Sequence, residues 1–146
     1  MITSDAGLLG GCFEHRVAAE LFGQPPDIRI AGTVVPRGQA REVDGGFRIG
    51  GHFTFTSGID YANWLVCSCI VVDDQGPIMT DLGIPRIILA IVPVEEVDVR
   101  ETWTAAGMCA TGSHDYHIDD ALVPSGRSFS LSDQPPNLDH STILAC

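Results

Sequence analysis

Asp44-Gly45-Gly46-Phe47-Arg48-Ile49-Gly50-Gly51-His52-Phe53-Thr54-Phe55-Thr56-Ser57-Gly58-Ile59-Asp60 decides how the chain folds. Asp44-Gly45-Gly46 is a tight-hairpin signal, because glycine supplies the positive φ that such turns need. Phe47, Ile49, Phe53 and Phe55 then fall on alternate positions, the two-residue period of a strand with one buried face. Ser57-Gly58 begins the next turn. Upstream, Ile28, Ile30, Gly32 and Val34 alternate with Arg29, Ala31 and Thr33. Pro36-Arg37-Gly38 predicts a turn, and 40–43 a short extended piece leading into the hairpin.

Downstream the strand signals continue. Residues 64–72 are almost continuously apolar, as in a strand buried on both faces. Asp73-Asp74-Gln75-Gly76-Pro77 predicts a surface turn. Residues 87–92 predict a second buried strand, ended by Pro93. Val97, Val99 and Glu101 alternate toward Trp103, and 116–122 form the last candidate strand, before Val123-Pro124. About seven short strands with turns between them predict a mainly β domain, an antiparallel barrel or sandwich.

The flanks differ. Leu8, Leu9, Cys12, Phe13, Val17, Ala18 and Leu21 recur at helical spacing, with Asp5 as a cap and Gly23-Gln24-Pro25-Pro26 as the stop. After Pro124 the chain is rich in Ser, Asp and Pro and reads as a linker. One helix with no second helix to pack on, and a linker at the other end, give the expectation of a piece of something larger. The division is 1–24 as a helical remnant, 25–126 as the β domain and 127–146 as a linker.

The 146 residues carry a net charge of −11 with only eight Lys and Arg. Such a surface repels phosphate backbones and anionic lipid, which argues against nucleic acid and membrane as partners. No segment has the unbroken apolar length of a membrane-spanning helix. Five scattered cysteines, an odd number, predict reduced thiols in a cytoplasm. Cys67 and Cys69, two apart on one strand, share a face and suit core packing. His114 and His117 fall on opposite faces of a strand, which is poor for chelation, so no metal site is expected.

Three segments in order resemble the middle domain of the acyl-CoA dehydrogenase superfamily, and most of all its flavin-dependent aromatic hydroxylase branch. Residues 44–60 are similar to the family's glycine hairpin followed by G-x-W-x-F-x-S-G-x-D. Trp103-Thr104-Ala105-Ala106-Gly107-Met108-Cys109-Ala110-Thr111-Gly112-Ser113 resembles W-x-x-x-G-x-x-x-T-G-S. Asp119-Asp120-Ala121-Leu122-Val123-Pro124 resembles the exit D-D-x-x-V-P. The resemblance covers residues 27 to 125. It departs at His52 and Phe53, where the hydroxylases carry a basic residue and Trp.

The resemblance implies a flavin, FMN or FAD, reduced by a partner reductase and lying against two strand ends. Ala31, Gly32 and Thr33 stand on one, Thr56 and Ser57 on the other. Rigid strand ends suit a ring that needs fixed donors and acceptors. Oxygen is then activated beside ring atom N5 and passed to a small aromatic substrate. Ser57 is expected to donate a hydrogen bond there, and His15 on the leading helix to lie near substrate and flavin. The parent would be a homotetramer, completed by a C-terminal helical bundle that this chain lacks, so that the chain by itself is expected to be inactive. Two other readings stay open: the middle domain of a true acyl-CoA dehydrogenase binding FAD, and a truncated interaction module. The bland readings also stand beside these. Ser57 also fits as the start of a turn, Trp64 and Trp103 as packing residues, and His15 as an exposed helix residue.

Overall fold

The computed structural model describes residues 28–131. The helix expected at 7–22, with His15, lies outside them, as do Cys12 and Cys146. Eight strands follow: β1 (Ile30–Val43), β2 (Gly46–Thr56), β3 (Trp64–Asp73), β4 (Gly76–Pro77), β5 (Ile87–Pro93), β6 (Asp98–Arg100), β7 (His114–Pro124) and β8 (Ser128–Ser130). They form one sheet in the order β6-β7-β2-β1-β3-β5-β8, with β4 attached to β3.

The expected mainly β, mostly antiparallel fold is therefore right, with one pair departing from it. β1 and β3 run parallel while every other pair is antiparallel, and the two ends of the order do not pair, so the sheet is open and mixed. The reason lies in residues 57–63. β2 ends where β1 begins, and the connection has only to pass round the start of β1 to enter on its other side. Arg29 marks the passage. Its carbonyl accepts the N–H groups of Asn63 and Trp64 at 2.9 and 3.1 Å, and its own N–H donates to Asn63 Oδ1 at 2.8 Å.

Two local expectations are corrected. Pro36-Arg37-Gly38 is not a turn between strands but a bulge within β1. The five steps from Thr33 to Gly38 lie against two steps of β3, from Cys67 to Cys69. Extra residues on one strand bend it without ending it. The stretch after Pro124 does not run on as a linker at once. A 3₁₀ turn at Ser125–Arg127 reverses it, and β8 pairs with β5 through Ile88↔Ser130, Leu89↔Phe129 and Ala90↔Ser128. Arg127 sits over the Trp64 ring at 5.0 Å, a cation–π contact. The clue was Phe129, one large apolar residue in a polar run.

The core has two sides. Leu65, Cys67, Cys69 and Val71 of β3 join Ala40, Ile49, Phe53, Ile88, Ala90, Tyr116 and Ile118 in one cluster. The sheet must curl for strands this far apart in its order to share that interior. Val66 faces the other way, with Ile30, Leu89 and Ile91. The unbroken apolar run of β3 follows from having protein on both faces. Phe53 and Tyr116 stack at 4.7 Å.

Two ionisable groups in this core depart from their ordinary range. The Cys67 thiol is pushed up by its hydrogen bond with Cys69 and by desolvation. The Tyr116 phenol is pushed up by desolvation and by the neighbouring thiols. Thiols buried in apolar surroundings are poorly reached and poorly reactive. Iodoacetamide at pH 8 should therefore spare Cys67 and Cys69 in the folded chain and modify exposed Cys109. Peptide mapping reads this, and rapid labelling of the buried pair would contradict it.

Gly38 faces β2 and β3 at once. A Cβ there would lie 2.5 Å from Cys69 Sγ and 2.6 Å from Phe53 Cζ, whereas Gly45 has open space but a φ of +81°. Gly38→Ala should cost about 1–3 kcal/mol by overpacking, and Gly45→Ala about 1 kcal/mol from backbone strain. Urea unfolding should show the first loss partly recovered in a Gly38→Ala, Cys69→Ala double variant. Cys69→Ala should recover nothing for Gly45→Ala.

Candidate functional site

The β1–β2 ladder runs from Val43↔Gly46 to Gly38↔Gly51 and goes no further. In an antiparallel pair, the residues before Gly38 and those after Gly51 extend in the same direction. Both candidate segments, 31–33 and 56–57, therefore lie at one end of the sheet, beyond the point where the strands part. Ala31, Gly32 and Thr33 pair with Leu65, Val66 and Cys67 of β3 on one side only. Alternate backbone groups of a strand point to opposite sides, so part of their N–H and C=O groups are turned toward the parted edge. A Cβ at Gly32 would meet Val66 O at 2.3 Å, so that strand cannot carry a side chain there without moving. Thr33 Oγ1 accepts the Val35 N–H at 3.3 Å.

The other segment is more elaborate. Phe55 is held at φ 59°, in the left-handed region. A bulky residue there is a backbone outlier, and such strain clusters at functional sites. The residue is nonetheless 68% exposed, with an edge contact of its ring to Trp103 at 6.4 Å. Asp115 holds the backbone in place: Oδ1 accepts the Phe55 N–H at 3.1 Å, and Oδ2 lies 3.2 Å from His52 Nε2. Thr56 is fully buried, and its hydroxyl has no partner. Ser57 is exposed, its N–H donating to Phe55 O at 3.1 Å.

A third segment, beyond the candidate residues read from the sequence, completes the arrangement. Residues 108–112 form a tight turn, with Met108 at φ 56° and Gly112 at φ 46° either side of a 3₁₀ turn. Gly58 N–H donates to Thr111 O at 2.7 Å, tying this turn to the end of β2. Ser57 Oγ lies 2.9 Å from Ser113 Oγ, which lies 2.9 Å from Thr111 Oγ1. Thr111 Oγ1 donates to Met108 O at 2.9 Å. His114 Nδ1 accepts the Trp103 N–H at 3.1 Å, and its Nε2 is 3.6 Å from Asp60 Oδ1. A Cβ on Gly112 would lie 2.1 Å from Asp60 Oδ2. The Thr111-Gly112-Ser113 motif had flagged this segment, but nothing in a linear sequence sets its hydroxyls against Ser57.

Trp64 packs against the second core cluster. Trp103 serves the turn, its indole N–H donating to Met108 O at 3.1 Å. His52 pairs with Asp115, and His117 lies opposite His52 in the β2–β7 ladder. Among the described residues no group of three or more His, Cys, Asp or Glu is placed to hold a metal ion.

No family model matches the chain. It is similar to a pigment production hydroxylase of a Rhodococcus species, 36% identical over 80% of this chain and 28% of that protein. It is similar to the oxygenase component of an FADH2-dependent resorcinol hydroxylase of a Rhizobium species, 29% identical over 83% of this chain and 28% of that protein. Among solved structures it resembles XiaF of a Streptomyces species, crystallised with FADH2 and glycerol. The TM-score is 0.74 and identity 30%, over 86% of this chain and 30% of that one. The chain thus spans under a third of the length of these relatives.

If Phe55 is kept in its strained conformation for a reason other than stability, its removal should be cheap. Phe55→Gly should change unfolding free energy by no more than about 1 kcal/mol, because glycine accepts the positive φ. Phe53→Ala, in the core, should cost about 3–5 kcal/mol. Denaturant titration compares them, and equal losses would remove the strain argument.

Proposed function

We propose that this chain is the flavin-binding β module of a reduced-flavin monooxygenase that hydroxylates an aromatic substrate. The observation that carries the reading is a coincidence of place. The region similar to the hydroxylases brings one hydroxyl-bearing strand end and one half-paired strand to the same end of the sheet. The residues suit a flavin there. Ser57 offers an exposed hydroxyl, Phe55 an exposed ring, and Ala31 to Thr33 backbone groups that β3 does not use. A planar heterocycle with donors and acceptors round its edge needs such fixed partners.

Bound in reduced form, the flavin supplies the electrons that activate dioxygen for transfer of one oxygen atom to the substrate ring. The chain's own residues hold and orient it. In this reading Thr33 borders the ring and the buried Thr56 stands behind it, with Ser57 nearest the ring's reacting edge. The strand-bound side chains restrict water on their side. His15 belongs to the substrate side. XiaF, crystallised with FADH2, and the FADH2-dependent resorcinol hydroxylase support FAD, and FMN is the second candidate. A separate reductase, a homotetrameric parent and a cytoplasmic setting complete the proposal. Because the matched region spans under a third of these relatives' length, the full reaction is assigned to the larger enzyme and binding alone to this module.

Titration of the purified chain with FMN and with FAD, followed by flavin fluorescence, tests this. Saturable binding is expected, weakened about three- to tenfold in Ser57→Ala, the loss of one hydrogen bond. A folded chain that binds neither flavin in either redox state would overturn the reading.

A further inference from the structure

The hydroxyl chain at the site has a direction, and that direction follows from counting protons. A serine or threonine hydroxyl has one proton to give and two lone pairs to accept with. A carbonyl can only accept. Thr111 Oγ1 stands 2.9 Å from Met108 O, so the Thr111 proton must lie between them. Otherwise two sets of lone pairs would face each other. The same carbonyl also receives the Thr111 N–H at 3.0 Å and the Trp103 indole N–H at 3.1 Å. Three donors converge on it, and it ends the chain.

With its proton spent, Thr111 can only accept from Ser113, 2.9 Å away. The Ser113 proton is then spent as well. Ser113 can only accept from Ser57, again at 2.9 Å. Ser113 is buried, so water does not compete freely for its lone pairs. Each link is set by the one before it: Ser57 to Ser113, Ser113 to Thr111, Thr111 to the Met108 carbonyl. The left-handed backbone at Met108 belongs to the turn that carries this terminal acceptor.

We infer that Ser113 and Thr111 are positioning residues that draw the Ser57 proton inward, so that Ser57 meets its ligand as a hydrogen-bond acceptor. This reverses the donor role expected of Ser57 from sequence. It rests on the flavin reading above for its consequence. The reduced ring carries a hydrogen on N5 and can donate to Ser57. The oxidised ring has only a lone pair at N5 and meets the lone pairs of Ser57. The chain of hydroxyls therefore selects the reduced cofactor before any substrate is present. It does so without a charged group.

Two measurements separate this inference from the reading it rests on. Neutron diffraction from the deuterated, ligand-free chain locates the hydroxyl deuterons. The Ser57 deuteron should point to Ser113, and the Ser113 deuteron to Thr111. A Ser113 deuteron directed at Ser57 overturns the inference. Anaerobic titration with FMN, oxidised and then dithionite-reduced, gives the ratio of the two dissociation constants. The folded chain should favour the reduced form. Thr111→Val removes the anchor while keeping the branched shape, freeing the Ser113 proton to turn toward Ser57. The preference should fall by about three- to tenfold, and Thr111→Ser should restore it. Should Thr111→Val not fold, Ser113→Ala leaves Ser57 without its inner acceptor and should show the same fall. An unchanged ratio in a folded Thr111→Val or Ser113→Ala chain overturns the inference. Deuterons oriented as stated in a chain that binds neither form of FMN or FAD support the assignment of Ser113 and Thr111 and sink the flavin reading.

Discussion

At Gly38 three strands meet with no room for a side chain. It pairs with Gly51 of β2 and with Cys69 of β3, and a Cβ there would drive into Cys69 and Phe53. The close approach pins β1 to both neighbours at one level. On one side of that level the β1–β2 ladder is regular. On the other side β1 bulges, β2 goes on with β7 alone, and the two strands part. The Phe53–Tyr116 stack fills the interior beside the junction, so the strands cannot collapse to close the gap. The candidate site exists because pairing stops there.

Once the strands part, their backbone groups need other partners, and the end of β2 finds them in side chains and in the 108–112 turn. Asp115 takes the Phe55 N–H and the Thr111 carbonyl takes the Gly58 N–H. Backbone strain is concentrated in the same place, at Phe55 and Met108. Neither residue gains burial from it, since both side chains are exposed. Strain held by hydrogen bonds from three directions gives a rigid edge. Rigid edges suit the orientation of a ring better than loops do.

The candidate site was only partly foreshadowed in the sequence. Ser57 and Thr56 were singled out through the resemblance alone, since by its own neighbours Ser57 reads as the start of the Ser57-Gly58 turn. Thr111 and Ser113 belonged to a motif that was quoted but given no role. Their role depends on distances across 56 residues of chain, which carry no local signature. The pairing of His114 with Asp60 was invisible for the same reason. The polarity of the hydroxyl chain lies deeper still, because it depends on one carbonyl at its end.

The sequence by itself determined that the chain is mainly β, where most strands lie and which strands are buried on both faces. Those properties are local: period-two alternation, apolar runs and glycine turns are written in neighbouring residues. Only the tertiary structure decided that β3 enters beside β1 in parallel, that Pro36 to Gly38 bulges instead of turning, and that β8 returns to the sheet. Each of these depends on which strand becomes a neighbour. That choice is made by whole-sheet packing and by the close approach at Gly38, between residues that no window of sequence contains together.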